Sequence, residues 1–463
     1  MIMTADGWGG FSRLLALVAM APLAACGQSQ APQIEQAGAV AWQPPVTVAT
    51  GPAERGPWRM NQSRFHYVDD PSVALASDGD VLVVWVDNQA QTVYFQRYDN
   101  ELNPRLDSPV AVSDSPKIFS WLPRIASVND GQTVLVAWQE ILFTGGSHGG
   151  EILLARSTDG GRSFETPINL SNTTGGASKG RLSPERWDNG SLDLVAAGNR
   201  VHVAWTEYDG KLRVASSADG GQHFADPVDV AGSGGRPTRG PALALLEDGR
   251  LLLAWTFGED NSADVQLAVS SDHGQRFEQL GAAHRRFGHA DAPRLAVDGR
   301  GQVHLVWAES AGSREGPARL VYARSRANEL SFDDARTIVD IDGDQRLHAG
   351  FPQVVEAADR LIVSWEVLAR RQRASLGLGW VYSDDSGAQF SRPQLVPGTQ
   401  PPQGAASGGL QGLLTRKLAA DREGKLVLVH SHFDPGSSSQ VVLVRGQISG
   451  HQNSEGGRSD LPR

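Results

Sequence analysis

One cysteine, Cys26, occurs in the whole 463-residue chain. That excludes an intramolecular disulfide and a cysteine-based zinc site. Basic runs are missing, and the formal net charge is −10; both count against nucleic acid or an anionic membrane surface as a partner. The apolar stretch from Leu14 to Ala25 is too short for a spanning helix. No segment sustains a helical period. Motifs of familiar chemistry are absent as well: there is no phosphate-binding Gly-rich loop, no Gly-x-Ser-x-Gly elbow and no HExxH spacing. No cofactor and no resident metal are expected. Tyrosine is scarce, with six in the chain.

What is abundant is a short box, Ser-x-Asp-x-Gly-x-x-Phe. It runs from Ser157 to Phe164, Ser217 to Phe224, Ser270 to Phe277 and Ser383 to Phe390, with starts 60, 53 and 113 residues apart. A worn copy, Ser325 to Phe332, falls within the widest gap. Ser and Asp side chains cap the amides of a tight turn, Gly takes its left-handed position, and the aromatic enters the apolar layer beside it. A fixed period with β-type sequence between copies predicts a repeat built from small sheets.

The box resembles the Asp-box (BNR) repeat of sialidases and related β-propellers. That resemblance covers most of the chain. It implies a propeller, and it implies that the box aspartates are structural and lie away from any active site.

A second marker is a strand of the form Val-x-Val-x-Trp, ending at Trp85, Trp138, Trp205, Trp255, Trp307 and Trp365. Strand starts precede them at Pro71, Pro123, Ser191, Pro241, Pro293 and Pro352, and a seventh copy, Arg416 to His430, ends in His. Each unit reads as four strands, A to D, with the box between C and D. The tryptophans are expected to be buried between neighbouring sheets. The seventh unit lacks strand D, and Gln43-Pro-Pro-Val-Thr-Val fits that pattern. The expectation is therefore an all-β propeller of seven four-stranded blades, with six the alternative, closed by an N-terminal strand that removes the open edges.

In such a ring the D–A and B–C loops share one face around the channel, and the A–B turns and boxes share the other. Candidate residues on the loop face are the Trp-x-acid series Asp87, Glu140, Glu207 and Glu309. With them come Arg64, Asp69, Asp70, Arg124, Arg186, Asp188, Arg239, Asp291, Arg294, Arg416 and Lys417 around the strand A starts. An Arg beside a carboxylate makes a structural pair or clamps a ligand carboxylate in a bidentate fork. The repeated acids fit a scaffold role, tying blades together, as well as a ligand role. His289 and His348 sit at matching positions four residues before their Pro, with His66 five before Pro71; with Asp291 nearby, a metal site or a general base is open to them beside the commoner solvated-rim role.

Resemblance to sialidases implies three arginines on a sugar carboxylate, an Asp acid, and a Tyr nucleophile helped by Glu. Arg124, Arg239, Arg294 or Arg416 would supply the clamp, Asp69 or Asp70 the acid, and Glu140 or Glu207 the helper. The catalytic set on that reading is Asp70, Glu207 and Tyr208, with Arg124, Arg186, Arg239, Arg294, Glu140, His289 and His348 as ligand-binding residues. The chain departs from the family in three respects. Trp121-Leu-Pro-Arg only echoes its Arg-Ile-Pro motif, seven blades replace six, and only Tyr67 and Tyr208 lie on the loop face. The leading expectation is thus a propeller that binds a glycan or a protein partner on that face, and the second is an exo-acting sialidase-type glycosidase.

Leu23-Ala24-Ala25-Cys26 looks like a bacterial lipobox. It implies cleavage before Cys26 and lipidation of that residue. Residues 1–25 then form the leader, 26–44 a Gln-, Ala- and Pro-rich tether, 45–447 the propeller, and 448–463 a polar tail. A monomer on a lipid anchor is expected. Gly27, not Asp, follows the cysteine, so in a Gram-negative cell the address is the outer membrane, facing the periplasm or the surface. Long loops at 140–150, 170–190 and 397–415 mark places to look for a ligand.

Overall fold

Six four-stranded antiparallel sheets and a seventh with one extra short strand succeed one another along the chain. The computed structural model describes residues 39–448, except 58, 60, 116, 142–149, 173–178, 184–185, 190–191, 208–209, 233–235, 259–261, 284–287, 311–317, 327–328, 341–346, 370–374 and 402–414. For 179–183 and 186–189 it describes the backbone alone. The expected leader, Cys26, Tyr208, the tail and most of the long loops lie outside the described residues.

The first blade shows the plan: Val68–Leu75 innermost, then Val81–Asp87, Thr92–Tyr98 and the short outer strand Val110–Ala111. The other inner strands are Ser120–Val128, Leu192–Ala197, Thr238–Leu245, His289–Val297, Leu347–Ala357 and Leu418–Ala420. Second strands are apolar on both faces because each sheet is covered on both sides, and Val81 to Val86 are all buried. Trp85, Trp138, Trp205, Trp255, Trp307 and Trp365 are buried as expected. Each covers on the order of 150–250 Å² of apolar surface between sheets.

The ring closes through the N-terminus. Val46–Gly51 pairs antiparallel with Ser438–Ile448, and so does Val40–Trp42, which the sequence places in the tether. The two short pieces together make the outer strand of the seventh blade, and Trp42 meets Trp380 of the sixth edge-on at 5.5 Å. The seven-bladed expectation holds, with the closing segment starting earlier than the Pro-Pro signal indicates.

The four boxes form the same turn. In the second blade Ser157 Oγ donates to Asp159 Oδ1 at 2.7 Å and accepts from Gly161 N at 2.9 Å, while Asp159 accepts from Ser163 N at 3.0 Å. Ser217/Asp219, Ser270/Asp272 and Ser383/Asp385 repeat this pattern. Two of the turns also lock to the preceding blade through a backbone carbonyl. Arg156 Nε donates to Gly220 O at 3.1 Å, and Arg324 Nη1 to Ser386 O at 2.7 Å. The box aromatics Phe164 and Phe390 stand edge-on to Phe95 and Tyr322 of the blade before. Gly387, at φ 82°, lies so close to Tyr322 that a Cβ would fall 1.9 Å from its hydroxyl.

The inner strands share a feature that the Pro markers do not announce. In five blades the residue before the Pro has positive φ: Asp70 (53°), Leu122 (61°), Gly240 (57°), Ala292 (51°) and Phe351 (52°). Pairing with the second strand skips at each of these places. A left-handed non-glycine residue costs about 1–2 kcal/mol. Four such residues at one level of the channel concentrate backbone strain where the inner strands leave the loop face.

Candidate functional site

The bulges organise the channel into three levels. At one level of the channel, just after the bulge in the five blades that have one, the residue opposite the one preceding the Trp or His marker is, in blade order, Ser72, Arg124, Asp193, Ala242, Arg294, Gln353 and Lys417. This ring divides a belt of buried acids and bases on the loop side from a cavity on the turn side.

The ring is tied across the channel. Arg416 of the seventh blade donates from Nη2 to Asp193 Oδ1 and Oδ2 of the third, at 3.0 Å each. Arg124 Nε lies 3.9 Å from Asp193 Oδ1, and Leu243 N donates to Asp193 Oδ2 at 2.9 Å. Burial holds Arg124 and Arg294 below the usual arginine range; Arg294 and Arg416 also lower Arg124, and Arg416 lowers Arg294. Three guanidinium groups therefore share one carboxylate. Arg124, Arg294 and Arg416 come together as a clamp requires, but Asp193 sits among them.

The belt on the loop side has two clusters. In the first and last blades, Asp69 accepts a short hydrogen bond from Ser431, and Asp70 Oδ2 accepts from Leu122 N at 3.1 Å. Burial, and next the charge of Asp69, push Asp70 well above the usual carboxylate range. Beside them Lys417 Nζ donates a short bond to Glu366 Oε1, while Ser375 Oγ donates to Glu366 Oε2 at 2.6 Å. His430 Nδ1 is 3.8 Å from Glu366 Oε1, and His432 Nε2 is 3.0 Å from Thr399 O. Burial, then Lys417, pushes His430 well below the histidine range.

The second cluster joins the fourth and fifth blades. Arg239 Nε donates to Asp291 Oδ1 at 3.1 Å and Nη2 to His289 Nε2 at 2.9 Å. Among the described residues Arg239 Nη1 is buried without a hydrogen-bond partner. His289 is therefore the acceptor of an arginine and not a solvated rim histidine. His348 accepts at Nδ1 from Ala318 N at 3.1 Å, and the two histidines do not meet.

Other expected residues are scaffolding. The Trp-x-acid side chains have partners within their own blade. Glu140 accepts from Ser115 at 3.0 Å and Ser120 at 3.4 Å, Glu207 faces Arg213 at 3.2 Å, and Glu309 faces Arg319 at 2.7 Å. Asp70 and Glu207 stand in the first and third blades with no contact between them. Tyr67 is buried, edge-on to Phe433 at 5.3 Å, and burial raises its hydroxyl far above the usual range, as does Asp69. That is a packing residue. Arg186 and Asp188 fall on the hairpin Lys179–Ser183 and Arg186–Asn189 inside the 170–190 loop. Asp193 and Glu366 went unnoticed in the sequence. The third inner strand has Ser191 where five others have Pro, and Asp193 is two residues beyond it, so the Pro markers did not pick Asp193 out.

On the turn side of the ring lies a cavity of about 570 Å³. Asp193, Arg294, Gln353 and Arg416 floor it, and Glu247, Asp298, Glu356, Asp421 and Arg422 surround its opening. Neither belt cluster lines it.

No protein family and no curated protein sequence matches the chain. Among solved structures it is similar to an ulvan lyase of polysaccharide lyase family PL25 bound to -[GlcA(1-4)Rha3S]-, at 11% identity and a TM-score of 0.52, over 86% of this chain and 95% of that one. A second polysaccharide lyase aligns at 10% identity and a TM-score of 0.51, over 88% and 99%. A protein of unknown function from Dyadobacter fermentans aligns at 12% and 0.47, over 89% and 100%. At these identities the likeness is one of fold.

Proposed function

We propose that this propeller is an extracytoplasmic glycan-binding protein, anchored through Cys26, that holds its ligand over the loop-side end of the channel. One observation carries the reading: the belt of buried acids and bases at that end. Burying ionised groups costs several kcal/mol each before pairing offsets it, and the loop-side belt gathers several of them at the mouth of the channel. Polar groups kept at such cost are characteristic of binding and reaction sites. Arg239 with Asp291, and Glu366 with Lys417, present the charge-assisted donors and acceptors that sugar hydroxyls and carboxylates take up. The two lyase neighbours agree with a carbohydrate ligand, and the bound repeat of one contains GlcA, an acidic sugar.

Titration calorimetry against neutral and uronate-containing oligosaccharides tests this. Saturable binding without turnover, weakened at least tenfold in Arg239→Gln, supports it. No glycan binding, or binding indifferent to Arg239→Gln, overturns it. Metabolic labelling with a palmitate analogue, compared with Cys26→Ser, tests the anchor.

A second reading rests on Asp70, whose carboxyl keeps its proton well above the ordinary range beside Asp69, as a general acid must. On that reading the protein is a sialidase-type glycosidase. A fluorogenic sialoside assay with Arg294→Ala and Glu207→Ala decides it: turnover that both variants lose would favour the enzyme over the binder.

A further inference from the structure

The turn-side cavity is a blind cup with its own chemistry. Its floor is the ring, where the trans-channel pair of Arg416 and Asp193 closes the passage. Its walls come from the inner-strand residues two positions beyond the ring. Ala74, Ala126, Val195, Ala296, Val355 and Ala419 are half-buried there, whereas the intervening Val73, Ile125, Leu194 and Leu418 are buried. Small apolar side chains thus face the channel and keep it open. No aromatic ring lines the cup, and Ser127 is the one uncharged polar side chain on its wall above the floor.

Electrically the two ends differ. The floor sets Arg294 and Arg416 beside one carboxylate, Asp193. Arg416 uses only Nη2 on Asp193, and among the described residues its Nε and Nη1 have no protein partner. The rim is acidic: Glu247, Asp298, Glu356 and Asp421 outnumber Arg422. Inner strands rise about 3.3 Å per residue, so the wall from Arg294 to Asp298 is on the order of 13 Å deep. The volume falls within the range of small-ligand sites.

We propose that this cup binds a single-headed alkyl carboxylate, its head on Arg416 and Arg294 and its chain along the alanine wall. A largely apolar wall with a single hydroxyl, Ser127, disfavours a sugar ring, most of whose hydroxyls would lose water and gain no partner. The guanidinium edge of Arg416 suits a carboxylate. The acidic rim excludes a second anionic group at the far end. This site lies across the ring from the belt and stands independently of the glycan reading.

Calorimetry on the full chain with decanoate, decanedioate and decyltrimethylammonium tests the proposal. Decanoate should bind once per chain, decanedioate at least tenfold more weakly, and the cation without measurable heat. Arg416→Gln should weaken decanoate at least tenfold. Ala296→Phe, which fills the cup without touching the charges, should abolish binding while the protein still melts cooperatively. Should Ala296→Phe fail to fold, Ala419→Leu gives the same reading through a smaller obstruction. Absence of decanoate binding, equal affinity for the cation, or full binding in the filled variants would each overturn it.

Discussion

Arg416 in the seventh blade and Asp193 in the third stand three blades apart around a seven-membered ring, as far as two blades can be, and they meet at 3.0 Å in the channel. Asp193 is also the only carboxylate of the ring, so the two partners are not equivalent. Asp193→Asn leaves three guanidinium groups without a counter-charge and should lower stability by about 3–5 kcal/mol, as loss of one partner of a buried pair does. Arg416→Met leaves Asp193 with Arg124 and the Leu243 amide, and Arg416 is partly exposed, so its loss should cost at most about 1 kcal/mol. Urea unfolding of both variants checks the order.

Asp70 should make the protein less stable as pH rises. Its folded pKa lies above the unfolded value near 4, so the folded state holds the extra proton between those values, and ionisation on the way up opposes folding. Asp70→Asn keeps an acceptor for the Leu122 amide and has no charge to bury. Melting temperatures from pH 5 to pH 8.5 should show the variant gaining on the parent as pH rises, by on the order of 2 kcal/mol at the upper end. A constant gap would contradict this.

The box aspartates act in the opposite direction. Burial would raise Asp159, but hydrogen bonds from Ser163, Ser157 and Arg162 outweigh it and hold its carboxyl at about 2. Such a group stabilises the fold above the unfolded pKa, and that contribution is lost as pH falls through the folded one. Asp159→Ala should cost about 1 kcal/mol at neutral pH, typical of a lost side-chain cap. Below pH 4 the variant should lose stability less steeply than the parent.

Removing residues 39–51 takes away the outer strand of the seventh blade and bares the edge of Ser438–Ile448. The truncated chain should melt earlier and less cooperatively in calorimetry, and should self-associate on size exclusion through the open edge. Unchanged melting of a monomer would refute closure by this segment.

Much of this architecture could be read from the chain because it is periodic. The tryptophans, prolines and boxes recur, and each recurrence constrains the same strand in every blade. Val40–Trp42 escaped because a three-residue strand interrupted by Gln43-Pro-Pro carries no alternation to recognise. The candidate site was legible only in composition. Arg124, Arg294 and Arg416 could be named, but not their meeting at Asp193, because that depends on which blades face each other across the ring. Arg239 and His289 are separated by the three outer strands of the fourth blade and their connections, and their bond arises only when the fourth and fifth inner strands lie side by side. The left-handed residue before each Pro was equally hidden, since Asp, Leu, Gly, Ala and Phe share no side-chain property.

The closing strand has a consequence for the order of events during folding. Val46–Gly51 and its partner Ser438–Ile448 lie at opposite ends of the propeller's sequence. The early strand therefore has no mate until the blades between them have formed. Through that interval six blades can stack in sequence, but the circle has no end to join. The final association is then intramolecular and all-or-none, so a chain that stops short of its last hairpin should remain an open arc, recognisable to quality-control proteases by its two unmatched ends.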